Sequence, residues 1–134
     1  MSYINKLANA LSRWFRQSGN TENLEDAILY YQKALTRHPP GHRKRAHSLN
    51  NLAPALASRF DQSGRMQDLE DAISHNHEAL TLRPPGHPNR SYSLITLAIA
   101  LSNRFRQAGR MDDLDNSFRA LRSSMIVHFL EIEV

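Results

Sequence analysis

The sequence predicts an all-α chain built from three stacked helical hairpins. Three observations carry that prediction: an internal repeat with a period of 45 residues, apolar residues spaced three and four apart within each copy, and glycine and proline at fixed places between them. Leu7-Ala8-x-Ala10-Leu11 returns as Leu52-Ala53-x-Ala55-Leu56 and again as Leu97-Ala98-x-Ala100-Leu101. The same shift carries Phe15 to Phe60 and Phe105, and Gly19 to Gly64 and Gly109. Between residues 4–48 and 49–93, 23 of 45 positions are identical, far above coincidence.

The chain divides into one repeat domain, 1–134, with units at 3–47, 48–92 and 93–134. In the first unit, Ile4, Leu7, Ala8, Leu11 and Phe15 place one apolar stripe on a helix over 3–17, which Gly19 closes. Leu24, Ala27, Tyr31, Ala34 and Leu35 place another on a helix over 22–37, and Pro39-Pro40-Gly41-His42 breaks the chain. The second unit repeats this arrangement with helices over 46–62 and 67–82. Leu49, Leu52, Ala53, Leu56 and Phe60 mark the first, Leu69, Ala72, Ile73, Ala79 and Leu80 the second, and Pro84-Pro85-Gly86-His87 follows. In the third unit the helices fall over 90–107 and 112–130, but the closing proline linker is replaced by Phe129 to Ile132. Pro54 lies inside the third helix, where Asn9 and Ile99 stand in the other copies, and is expected to kink it on its groove side.

The charges support this reading. Arg13, Arg16, Arg59, Arg104 and Arg106 gather near the ends of the first helices. Ten of the thirteen acidic residues fall in second helices, most of them in the opening turns, so each sign meets the helix end that favours it. Although the net charge is +4, the surface is therefore expected to be striped rather than uniformly basic, which weighs against a nucleic-acid partner. The absence of cysteine excludes disulfides, thiolate metal sites and a cysteine nucleophile. No leader and no membrane span is read from the sequence, and the expected location is the cytoplasm.

These positions resemble the tetratricopeptide repeat. Ile4, Leu7, Ala8 and Leu11, with their counterparts in units two and three, match the large, Leu, small, large series of its first helix. Ala27, Tyr31, Ala34, Leu35 and Pro39 match its second helix; in the second unit Asn76 replaces the large residue. The period exceeds the usual 34, and about seven of the extra residues lengthen each helix by roughly one turn. The long variety is similar to that of kinesin light chain. It is more similar still to fungal arrays with LNNLA, RF, DLEDAI and PPGHP motifs that precede caspase-like peptidase domains. The resemblance implies a right-handed α-solenoid and a non-catalytic scaffold that binds a protein or peptide in the groove lined by first helices.

On that groove the helical projection places Asn5, Asn9, Ser12, Arg13, Arg16, His47, Asn50, Ser58, Tyr92, Asn103 and Arg106. Asn9 and Asn51 stand where family members that clamp a terminal carboxylate use Asn. Asn5, Tyr92 and Thr96 take the places of that clamp's cations, so the clamp is not implied.

Catalytic chemistry finds no foothold. His75 and His77 are two apart on a helix, so they diverge by about 200° and cannot chelate one ion. The paired acids Glu25-Asp26 and Glu70-Asp71 repeat in register, as helix N-terminal charges do. No triad order, phosphate loop or nucleophile elbow appears, and no enzyme activity, metal or cofactor is expected. His38, His42 and His47 flank Arg43, Lys44 and Arg45 in the most basic segment, read as a solvated inter-repeat loop in preference to a phosphate or acidic-partner site.

The apolar ending, Met125, Ile126, Phe129, Leu130, Ile132 and Val134, predicts a surface that folds back or is buried in a second copy. Self-assembly through that helix is thus the first alternative function. An RNA-binding helical repeat with an arginine track is the second.

Overall fold

The computed structural model describes residues 3 to 133, with side chains for residues 3 to 125. Six helices and no strand occur among them: α1 (Tyr3–Ser18), α2 (Thr21–Thr36), α3 (Arg45–Ser63), α4 (Met66–Leu82), α5 (Arg90–Ala108) and α6 (Met111–Glu133). Every expected helix is present, with most ends within a residue or two of the expected bounds. The last runs to Glu133, past the expected end. The fold is all-α, and α1 with α2, α3 with α4, and α5 with α6 form the closest pairs. Successive pairs join through α2 with α3 and α4 with α5, while α3 also packs on α5.

The helix ends follow from local chemistry. Gly19, Gly64 and Gly109 adopt φ of 72°, 73° and 67°, and each N–H bonds the carbonyl of Phe15, Phe60 or Phe105 at 2.7 Å. That left-handed closure needs glycine because a side chain would strain it. Asn20 caps α2 by accepting from the Glu22 N–H at 3.0 Å. The two proline linkers take one shape: His42 and His87 bond back to Pro39 and Pro84, and each imidazole Nδ1 accepts a backbone N–H two residues on, at 3.0 Å. Pro54 does not interrupt α3, which runs from Arg45 to Ser63.

Small residues set the helix spacing. Ala8, Ala53 and Ala98 are buried at one register position, and Ala27, Ala72 and Ser117 at another. Between them lie Leu11, Phe15, Leu24, Ile28, Tyr31, Leu52 and Leu56, in one cluster that spans the first two pairs. Cutting Leu52 to alanine would cost about 2–5 kcal/mol through lost burial and the cavity left behind. Ser117 fits a site otherwise held by alanine because its hydroxyl bonds the Ala98 carbonyl at 3.0 Å.

An ion-pair clasp repeats across the junctions. Arg59 holds Asp68 of its own hairpin at 2.8 Å and Glu25 of the preceding one at 3.1 Å. Forty-five residues on, Arg104 holds Asp113 at 2.7 Å and Glu70 at 3.0 Å. At the matching place in the first unit stands Trp14, which is exposed.

A second junction device was not foreseen. Asn76, which departs from the large residue expected there, accepts from the Asn50 amide at 3.3 Å and the Thr96 hydroxyl at 3.0 Å. Asn50 in turn accepts from Arg83 at 2.5 Å and from the Ser93 hydroxyl at 2.7 Å. This buried polar network links α3, α4 and α5, and each bond satisfies a group that would be costly to bury alone.

Candidate binding cleft

Between α1 and α3 the first helices stand apart and enclose a cleft of about 340 Å³. The pattern that forms it is the repeat itself: α1 and α3 turn their stripes inward onto α2 and α4, leaving their polar faces toward each other. Asn9, Ser12, Arg13, Arg16, Asn50, Ser58 and Tyr92 line it, so seven of the expected groove residues are brought together. Tyr31, Asn51 and Pro54, none of them in that projected set, line it as well.

Two further clefts continue the row. One lies between α3 and α5 and shares Pro54 and Ser58 with the first; it adds Asn76, Ile99 and Asn103. The other lies between α5 and α6, shares Ile99 and Asn103 with the second, and adds Arg106. Two expected residues lie elsewhere. Asn5 borders a separate depression beside Arg37 and His38, and His47 borders a cavity between the two proline linkers. Asn5, Asn50 and Asn103 are moreover buried, with only an edge reaching their clefts. A helical wheel gives the angle of a side chain but not where the neighbouring helix will cover it.

The polar groups of the first cleft are fixed by one another. The Tyr31 hydroxyl donates to Asn9 Oδ1 at 2.6 Å and lies 3.3 Å from the Ser12 hydroxyl. Burial pushes the Tyr31 phenol above its ordinary value, opposed by the Ser12 hydrogen bond and by the charges of Arg16 and Arg13. At neutral pH the phenol is therefore a proton donor. Arg106, in the third cleft, donates to Asn103 Oδ1.

The cations of the first cleft differ from those of the clasps. Arg45, Arg59 and Arg104 each hold a carboxylate, whereas Arg13 and Arg16 hold none among the described residues, and no acidic side chain lines the cleft. The Asn51 amide nitrogen is buried without a hydrogen-bond partner. A buried donor in that condition costs about 1–3 kcal/mol until an acceptor reaches it. Two free guanidiniums, an unsatisfied amide and the Ser58 hydroxyl can meet carboxylates and backbone carbonyls of an extended chain.

No protein-family model, curated protein or solved structure matches this chain. The cleft is thus read from its own chemistry.

Met111, Phe118 and Met125 of α6 are exposed at seven-residue intervals, and Leu121, exposed between them, lines the third cleft. Of the expected self-association residues, Met125 alone has a described side chain. Ile126, Phe129, Leu130, Ile132 and Val134 lie outside the described side chains. No helix of the described residues is long and apolar enough to cross a membrane.

Proposed function

We propose that this chain is a non-catalytic interaction scaffold of the tetratricopeptide type, its hairpins stacked as a right-handed solenoid. Its ligand is an extended acidic peptide laid along the first helices. One observation supports this above the rest: Arg13 and Arg16 line the cleft between α1 and α3 with no carboxylate to hold among the described residues. An acidic peptide supplies the missing charge, its backbone carbonyls reach Asn51, and the clefts beyond Pro54 offer Ile99 for an apolar side chain. The cytoplasm is the expected setting.

Fluorescence anisotropy with labelled dodecapeptides, acidic and charge-neutral, tests the proposal. Reversing both cations, Arg13→Glu with Arg16→Glu, is expected to weaken acidic-peptide binding by about a hundredfold, two charge-assisted contacts at roughly tenfold each. Both side chains are exposed, so the melting temperature should hold. Equal affinity of variant and parent for acidic peptides would refute the reading.

The exposed heptad of α6 favours a second role, association of two copies through that helix. Sedimentation equilibrium is expected to show a dimer that Phe118→Glu dissociates; a monomer at high micromolar concentration would count against it.

A further inference from the structure

A cavity of about 370 Å³ lies where the two proline linkers meet, away from the peptide cleft. Its charged lining is of one sign. Arg43, Lys44 and Arg83 border it together with His42, His47 and His87, and no acidic residue does. Like charges gathered around one space repel, and a fold tolerates that where an anion occupies the centre.

Arg83 is the decisive member. It is 5% exposed, and burial presses its pKa down from the usual arginine value. Unlike Arg45, Arg59 and Arg104, it holds no carboxylate among the described residues. Its bonds all run through Nη1, to Asn50 Oδ1, the Ser93 hydroxyl and the Asn89 carbonyl, which are neutral acceptors. Nε and Nη2 bond nothing among the described residues, so most of the fork of a buried cation is unused. A guanidinium in this condition is preorganised for two oxygens of one anion.

The backbone adds to it. Lys44 precedes α3 without a side-chain cap. The N–H groups of Arg45 and Ser48 find carbonyls in the preceding turn, at His42 and Lys44, which leaves those of Ala46 and His47 on the cavity wall. The first turn of a 19-residue helix thus turns its positive end and spare donors toward the same space. His42 and His87 both accept at Nδ1, which sets the proton on Nε2 and makes each ring a further donor.

We propose that this cavity is a binding site for a phosphate dianion. Three cations, of which Arg83 is buried and held, call for more than one negative charge, and the donors come from several directions, as tetrahedral oxygens require and a planar carboxylate does not. The dianion is either free phosphate or the phosphomonoester of a modified side chain in a partner.

Titration of the whole chain with inorganic phosphate, with a phosphoserine nonapeptide and with its unphosphorylated twin tests the site. Amide shifts in heteronuclear correlation spectra give the location. Saturable binding that moves the amides of Ala46, His47 and Asn89 is expected, with no response to the unphosphorylated peptide. Arg43→Ser with Lys44→Ser should weaken it by about tenfold or more while leaving the helical circular dichroism unchanged. Arg83→Lys, which keeps the charge and loses the fork, should weaken it by a smaller factor. Tighter binding of the phosphopeptide than of free phosphate assigns the site to a modified partner; the reverse assigns it to the free ion. Shifts confined to Arg37 and His38, shifts nowhere, or full affinity in the double variant would overturn the proposal.

Discussion

Replacing Arg104 with leucine should separate the two halves of the clasp. Arg104 donates to Asp113 through Nε and Nη2 at 2.7 Å, and to both oxygens of Glu70 through Nη1 at 3.0 Å. The acids differ in setting: the Asp113 side chain is 1% exposed and that of Glu70 is 42% exposed. Without Arg104 the buried Asp113 carboxylate keeps only Arg110, 3.9 Å away and itself exposed. The expected loss is about 3–5 kcal/mol, the cost of an uncompensated buried charge. Glu70→Gln breaks the wet half alone and should cost under about 1 kcal/mol. For a chain of this length the first loss lowers the melting temperature by about 10–20 °C.

The pH dependence gives an independent sign. Hydrogen bonds from Arg104, working against burial, hold the Asp113 carboxyl below its ordinary 3.8. The folded protein therefore binds fewer protons there, and this stability, complete above about pH 4, is lost on further acidification. In Arg104→Leu burial dominates and the carboxyl rises instead, so the variant should recover part of its deficit between pH 7 and pH 5. Urea denaturation followed by circular dichroism at both pH values measures this, and Arg104→Leu with Asp113→Asn should restore most of the loss. A variant that loses no more than Glu70→Gln, with the same deficit at both pH values, would refute the assignment of the energy to Asp113.

Gly64→Ala meets no atom within 4 Å of the new Cβ, so its cost is the left-handed backbone alone. Thermal melts should show a loss of about 1–2 kcal/mol with helix content unchanged. His38 is buried against the Ser48 hydroxyl at 2.5 Å, and burial first, then the charges of His42, Lys44 and His47, hold its imidazole below the ordinary 6.5. The folded state thus prefers the neutral ring; its stability is present above pH 6.5 and falls as pH drops through the lowered value. Denaturation midpoints at pH 7.5 and 5.5 should show that decline, made shallower but not abolished by His38→Asn, since His47 and His75 are shifted the same way.

Helices α1 to α5 were legible because each is marked twice, by its apolar stripe and by the glycine or proline that ends it, whereas α6 has no such ending. The groove was legible in part. Asn9, Arg13, Arg16 and Tyr92 are where the projection puts them, since they lie at the middle of an exposed face. Asn50 and Asn103 reach their clefts only by an edge, because α3 packs on α5 and the neighbouring helices cover them. His47 opens α3, where the linker turns it toward Arg83 instead of the cleft. The arginines shared one sequence explanation, the helix dipole, and the structure separates them into clasp and cleft. The distinguishing signal is the repeat register: Arg59 and Arg104 stand 45 residues apart, each with an acid nine residues later and another 34 earlier, whereas Arg13 and Arg16 have an acid only nine residues later, Glu22 and Glu25. Asn76 reads as a departure from pattern, and only its contact with Thr96 of the next hairpin explains it.

Because the second unit carries the donor Arg59, its partner Asp68 and, in Glu70, an acceptor for the unit that follows, such a gene can grow by copying that 45-residue segment. An in-frame duplication inherits a complete fastening on both sides and needs no accommodating change elsewhere. Insertions of any other length would throw all later fastenings out of step. Array length would then be a trait that recombination can adjust in whole steps.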